Sequence, residues 1–308
     1  MAANFRVKIV FSKKYAVKLR AHVFRADKFA AALKLLLKGK IIKPADIAQP
    51  PRPLRRDLEL AHTRSWTDKL LKGRLTTENE ALAELQASKE VIEAHIMTVG
   101  GTVLAARLAL ETGLGINCGG GAHHAFADHG EGFCLLNDIA VAVRKMQQEK
   151  KIKKALIIDL DAHQGNGTAA IFKDDKSVFT FSMHQRDIYP QAKERSSLDV
   201  ELGRGTGDRR YLKTLKERLP GVFKRSAPDL VVYNAGVDVY RGDRLGGLKL
   251  TAAGVRKRDE MVFAECFKRN IPAVLVLSGG YAAGVGATAR LHANTMKAAI
   301  EQRRKAEG

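Results

Sequence analysis

The stretch Ala155-Leu156-Ile157-Ile158-Asp159-Leu160-Asp161-Ala162-His163 passes from an unbroken apolar run directly into acidic residues and an imidazole. A short run of this kind, without polar alternation, predicts a strand covered on both faces in a parallel sheet. Parallel sheets build their sites at the carboxyl ends of their strands, so the acidic exit is where chemistry is expected. The pattern recurs at Gly119-Gly120-Gly121-Ala122-His123-His124, at Asn234-Ala235-Gly236-Val237-Asp238 and at Ser278-Gly279-Gly280-Tyr281, each closing a strand-like segment. Four strand ends, distant in sequence, are thereby predicted to meet at one crevice.

Further apolar runs at residues 178–183, 230–233 and 273–277, with helical spacing at 135–146, 211–219 and 254–267 between some of them, extend the alternation. Strands separated by amphipathic helices imply an α/β fold of three layers, αβα, around a mainly parallel central sheet. Upstream, residues 5–11 read as a strand and 26–37 as a helix with Phe29, Leu33 and Leu36 on one side. Pro44, Pro50, Pro51 and Pro53 mark a loop, and residues 58–71 follow with Trp66 as a core anchor. An acidic stretch at 76–93 leads into a long helix ending near Gly113. A chain of 308 residues with 45% hydrophobic content suits one large domain spanning 1–308.

The net charge of +20 is concentrated early, with 19 lysines or arginines against 5 acidic residues in the first 75. Such a field attracts nucleic acid, anionic membrane or acidic proteins. No interleaved aromatics support a nucleic-acid module there, and the reading preferred is a solvated helical face carrying Lys28, Lys34 and Lys38. Three cysteines, Cys118, Cys134 and Cys266, form neither a disulfide framework nor a zinc-finger pattern, which predicts a reducing compartment. With no secretory leader pattern and no window near the ~18 apolar residues of a membrane span, a cytoplasmic location is expected.

Asp161 and His163, two residues apart just past a strand, can point to the same side of an extended backbone, a spacing that suits a metal ligand pair. Asp238 adds a second carboxylate, and a set of three ligands leaves a position open for water, as catalytic zinc requires. His123 and His124 form a candidate proton relay, with Asp159 and Asn166 available to fix their tautomers. Tyr281, behind two glycines, supplies a phenol able to stabilise a developing oxyanion.

Gly120-Gly121-Ala122-His123-His124, Gly132-Phe133-Cys134-Leu135-Leu136-Asn137-Asp138, Asp159 through Gly167 and Ser278-Gly279-Gly280-Tyr281 resemble, in order and spacing, the zinc-dependent histone deacetylase family. The resemblance spans nearly the whole chain and is greatest to the class IV branch and its bacterial relatives, through residues 161–167 and 242–248. His62-Thr63-Arg64-Ser65-Trp66 is similar to the family's early His-Thr motif. The resemblance implies an arginase/deacetylase-like fold, zinc on Asp161, His163 and Asp238, His124 as general base and acid, His123 as its electrostatic partner, and Tyr281 polarising the amide. It also implies a structural potassium ion against Asp159, the backbone of Asp161 and His163, Ser182 and Met183, and an acyl-lysine tunnel lined by Gly132, Phe133 and Tyr189. Asn166 stands where many members place Asp, which implies a less basic His124 with no carboxylate behind it. Arg25 and residues 86–88 depart from the pattern, at the rim.

The function this predicts is a zinc-dependent deacylase acting on acetyl-lysine or longer acyl-lysine in proteins. Three alternatives use the same residues: a deacetylase of small amides such as acetylated polyamines, which a basic protein repels unless the acidic stretch forms a rim; an arginase-like dimanganese enzyme; and a non-catalytic basic binding protein. The dimanganese site needs a carboxylate soon after His163, where Gln164-Gly165-Asn166 provides none.

Overall fold

The computed structural model describes residues 7–19 and 22–307. Its strands are β1 Ile9–Val10, β2 Ile47–Ala48, β3 Leu114–Asn117, β4 Ala155–Asp159, β5 Val178–Gln185, β6 Leu198–Leu202, β7 Leu230–Asn234 and β8 Ala273–Val276. They form one eight-stranded sheet in the order β2-β1-β3-β8-β7-β4-β5-β6. Every pairing is parallel. The helices are α1 Asp27–Lys38, α2 Arg55–Leu58, α3 Arg64–Leu71, α4 Thr77–Ala83, α5 Lys89–Thr112, α6 Asp138–Gln148, α7 Asn166–Ile171, α8 Asp208–Ser226, α9 Ala252–Lys268 and α10 Val285–Lys305.

Side chains alternate across the central strands and divide the core in two. Leu156, Ile158, Val231, Tyr233 and Leu275 join the cluster of α1, α8, α9 and α10. Ile157, Val232, Val274 and Val276 join that of α5 and α6. Period-two alternation with both faces apolar is why these strands read as continuous hydrophobic runs. Burying one such side chain is worth roughly 1.5–3 kcal/mol, so the strand ends rest on a rigid support.

Several expectations change. Lys28 does not belong to a solvated face: it is 0% exposed, whereas Lys34 and Lys38 are exposed. Lys28 lies in the first turn of α1, and its ammonium donates to Ser278 O at 3.0 Å and Gly280 O at 3.3 Å. α5, by length and composition, passes as a membrane span, but 67% of its apolar window is buried inside the protein. It is a core helix, packed on β3 and α6. The strand expected at 5–11 is observed only as β1, and residues 5 and 6 lie outside the described part. Trp66 is buried in the core and donates its indole N–H to Leu135 O at 2.9 Å. Cys118, Cys134 and Cys266 are free and buried.

Candidate active site

The four loops leaving β3, β4, β7 and β8 are laced together edge to edge. Leu277 and Ser278 donate backbone N–H groups to Gly119 and Gly120, and Leu160 donates to Asn234. This continuation of the ladder past the strands brings the predicted residues to one place. Gly279 runs against the two aspartates, where a Cβ would lie 2.5 Å from Asp238 Oδ2 and 2.6 Å from Asp161 Oδ2. Only glycine fits so close an approach. The adjacent Ser278 is held at φ +56°, a left-handed conformation that costs a non-glycine residue energy and gathers at functional turns.

Asp161, His163 and Asp238 are all buried, and one ligand atom from each lies within 4.8 Å of the others. His163 Nδ1 is 3.1 Å from Asp161 Oδ1 and 3.0 Å from Asp238 Oδ2. Two carboxylates facing one another out of water cannot both stay charged without a cation. Burial and the neighbouring Asp161 push Asp238 up to about 7. Two hard oxygens and one imidazole fit a divalent ion of the zinc, iron or cobalt type. This is the one His/Cys/Asp/Glu cluster of its kind among the described residues, so no second metal centre accompanies it there. Gln164, at the place where a dimanganese site needs a carboxylate, instead donates to Glu194 O and Asp199.

His123 and His124 stack beside this cluster, ring centroids 4.0 Å apart. His123 Nδ1 lies 2.7 Å from Asp159 Oδ2. Burial opposes its charging, but Asp159 and then Asp161 outweigh burial and raise it to about 9. His124 Nδ1 meets Asn166 Oδ1 at 2.7 Å. Burial first, then the cationic His123, hold His124 well below the usual imidazole value. One member of the pair is therefore a buried cation and the other a neutral base.

Tyr281 is fixed through its backbone N–H, which donates to Asp243 Oδ2 at 2.6 Å, while Asp243 Oδ1 caps Leu245 and Gly246. Burial and the two aspartates keep its phenol well above the usual value, hence protonated. The Lys28 ammonium sits 5.1 Å from the Tyr281 ring and 4.7 Å from Phe24. Burial lowers Lys28 to about 8, against the pull of Asp238 and Asp161. Lys28, through the carbonyls of Ser278 and Gly280, and Asp243, through the Tyr281 N–H, both hold this turn.

A cavity of about 330 Å³ reaches these groups, lined by His124, His163, Tyr281, Gly132, Phe133 and Tyr189 among others. The expected tunnel residues are thus placed beside the expected catalytic ones. Gly132 (φ +49°) and Phe133 (φ +68°) are the central pair of a tight turn in which Glu131 and Cys134 exchange both backbone hydrogen bonds. Two positive φ angles in sequence are the type I′ hairpin geometry, and they turn the Phe133 ring toward His22 and Tyr281. Of the residues expected around potassium, Asp159 and Ser182 are register partners on β4 and β5, and Met183 is fully buried. Asp159 Oδ1 accepts from Asn234 and from the Asp161 backbone, and the Ser182 hydroxyl pairs with His184. The acidic stretch does not form a rim: Glu93 bonds Lys14 and Arg52, Glu80 caps Ala87, and only Glu84 lines the cavity.

Reading the sequence missed three residues. Lys28 looked like one of a row of surface lysines. Asp138 accepts from the backbones of Gly121 and Ala122 and from Thr102, pinning the loop of the two histidines. Glu131 accepts from Asn166 Nδ2 at 2.8 Å and from the Tyr189 hydroxyl at 2.5 Å, so a carboxylate does stand behind His124, one residue further back than expected. An Asp inside a strongly marked motif signalled Asp138; nothing local to the sequence signalled the other two.

A three-layer αβα sandwich with a buried Asp-His-Asp cluster at the strand ends defines the arginase/deacetylase class of folds. The chain belongs to the histone deacetylase family, whose domain profile matches residues 22–298. It is 44% identical over 264 residues to an uncharacterized protein of Picosynechococcus, covering 86% of this chain and 88% of the relative. It is 34% identical over 289 residues to histone deacetylase 2 of Arabidopsis thaliana, covering 90% of this chain and 75% of that protein. The crystal structure of the HDA15 HD domain superposes with a TM-score of 0.78 at 25% identity, covering 97% of this chain and 91% of that one.

Proposed function

We propose that the protein is a metal-dependent deacylase that hydrolyses the side-chain amide of acyl-lysine in proteins or peptides. The observation that carries this reading is that a neutral His124, a protonated Tyr281 and His163, the histidine of the buried Asp161-His163-Asp238 cluster, line one cavity. Asp161, His163 and Asp238 would hold a zinc ion, which when bound would supply Lewis acidity toward the amide oxygen and the attacking water. His124 accepts the proton of that water and returns it to the departing lysine amine. His123, kept cationic by Asp159, places positive charge beside the negative charge that develops at the amide. Tyr281 donates its phenolic hydrogen to the amide oxygen as that charge grows. Gly132, Phe133 and Tyr189 enclose the extended alkyl stem of the lysine and exclude water from it. By family resemblance a potassium ion at Asp159, the backbone of Asp161 and His163, Ser182 and Met183 belongs to the same reading.

The test is release of free lysine side chains from peptides carrying acetyl through myristoyl groups, with and without chelator. Chelator-sensitive turnover is expected, and its dependence on chain length ranks the acyl preference. No turnover on any peptide by protein with zinc bound, together with turnover of acetylated polyamines, would replace this reading with that of a small-amide deacetylase. Metal removal has a readout of its own. At a hundredfold excess over its Kd a ligand stabilises by roughly 2.7 kcal/mol, so chelation is expected to lower the melting midpoint by roughly 5 °C and added zinc to restore it. An unchanged midpoint would mean that the cluster binds no metal.

A further inference from the structure

Among the polar groups near the site, Glu131 has a role that the proposed reaction does not use. Its Oε1 accepts two hydrogen bonds, from Asn166 Nδ2 at 2.8 Å and from Tyr189 Oη at 2.5 Å. Asn166 in turn faces His124 Nδ1 at 2.7 Å, and the Tyr189 ring stands edge-on to the His124 ring with centroids 4.9 Å apart. Glu131, Asn166, His124 and Tyr189 thus form a closed circuit of contacts. His129 Nε2 approaches the other carboxylate oxygen, Oε2, at 3.6 Å.

The orientation of an amide is decided by its partners. A carboxylate only accepts, so the Asn166 NH₂ group must turn toward Glu131 and its carbonyl oxygen toward His124. A carbonyl also only accepts, so His124 must carry its hydrogen on Nδ1 and leave the Nε2 lone pair free. Were Asn166 turned over, its NH₂ group would face Nδ1, and the imidazole would have to carry its hydrogen on Nε2 instead. That tautomer cannot take a proton at Nε2.

We propose that Glu131 is a positioning residue that sets the His124 tautomer through the Asn166 amide, making Glu131-Asn166-His124 a relay in which the carboxylate acts one residue removed from the base. The proposal rests on the deacylase reading for its kinetic consequence and on geometry alone for the tautomer. It also gives Tyr189 a second role, since its hydroxyl holds the same carboxylate oxygen that orders Asn166.

The test uses four variants of the full chain: Glu131→Leu, Glu131→Gln, Asn166→Asp, and Glu131→Leu with Asn166→Asp. The readouts are the ¹⁵N signature of the His124 ring, assigned by its disappearance in His124→Ala, and kcat and KM on an acetylated peptide. The native protein is expected to show the Nδ1–H form. Glu131→Leu frees the amide to turn, so the two tautomers mix and kcat falls by about ten- to a hundredfold, the usual range for residues behind a reacting group, with KM within about twofold. Glu131→Gln presents either an oxygen or an NH₂ group to the amide, so it no longer dictates the orientation, and a partial mixture of tautomers with a kcat between those of the native protein and Glu131→Leu is expected. In the double variant a carboxylate at 166 accepts from Nδ1–H in either orientation, so the signature and most of kcat return.

Unchanged tautomer and kcat in Glu131→Leu, or a loss of kcat without any change in the ring signature, would overturn the proposal. Failure of Asn166→Asp to rescue Glu131→Leu would overturn it as well. Because the ring spectrum is read without substrate, an inactive native protein with the Nδ1–H form would sink the functional reading and leave this one standing. An active native protein with the Nε2–H form would do the reverse.

Discussion

His124→Ala is expected to lower kcat/KM on an acylated peptide by about three orders of magnitude, equivalent to about 4 kcal/mol of barrier. The size follows from the division of labour between the two stacked imidazoles. His123 is committed as a cation by Asp159 at 2.7 Å and is raised to about 9, so it has no lone pair to offer at neutral pH. His124 is pushed the other way, by burial and by that neighbouring cation, and its Nδ1 is occupied by Asn166. In the proposed reaction its Nε2 is therefore the base of the pair. Tyr281→Phe removes a single donor from the developing charge and is expected to cost about a hundred- to a thousandfold. Both changes face an existing cavity, so neither should move the melting midpoint by more than a few degrees, and both variants should retain metal. Steady-state kinetics beside metal analysis checks this. If His124→Ala keeps more than a tenth of native kcat/KM at full metal content, the proton moves by another route.

The depth to which this site was legible in the sequence follows a physical boundary. Strand ends that carry chemistry are readable because a strand covered on both faces must be apolar, and the switch to Asp, Asn or Ser at Asp159, Asn234 and Ser278 then stands out. The central four strands and their order of polar clusters came from that contrast. Edge strands lack it: β6, Leu-Asp-Val-Glu-Leu, alternates because one of its faces meets water, and it was not anticipated. Lys28 misled for a related reason. A lysine one position before Phe29 looks like the polar side of an amphipathic helix, but side chains in a first turn lean back toward the helix start, and here that start abuts the carbonyls of Ser278 and Gly280. The contact joins residues 250 positions apart, and no local pattern encodes it. Glu131 is the same case at shorter range. The substitution of Asn for Asp at 166 was visible, while the carboxylate that compensates for it is set by the type I′ turn at Gly132 and Phe133, whose backbone geometry the sequence does not announce.

His62 makes the last prediction, which concerns stability. It is 3% exposed, and its Nε2 accepts the backbone N–H of Asn137 at 2.9 Å. Asn137 in turn caps α6 through its side-chain oxygen and ties down Ala125 and Thr168, next to the histidine pair. Protonating His62 would set two N–H donors against each other in a dry site. Burial accordingly lowers its value from 6.5 to about 4. The sign follows directly: between 6.5 and 4 the unfolded chain takes up a proton that the folded chain refuses, so folding stability falls as the pH drops through that window. From pH 6.5, where the unfolded imidazole is already half protonated, to pH 5.0 the loss from this one group is about 1.6 kcal/mol, the slope approaching 1.36 kcal/mol per unit only in the middle of the window. Asp238, raised to about 7, works in the opposite direction in metal-free protein, because there the folded state takes up the proton first. The comparison must therefore be a difference. His62→Gln keeps an acceptor for Asn137 and cannot titrate, so native minus variant stability isolates the histidine. Urea midpoints at pH 6.5 and 5.0 are expected to show the native protein losing about 1.6 kcal/mol relative to His62→Gln. Parallel curves for the two proteins would mean that His62 is protonated without cost, and that its Nε2 acceptor for the Asn137 N–H is not what fixes this corner of the site.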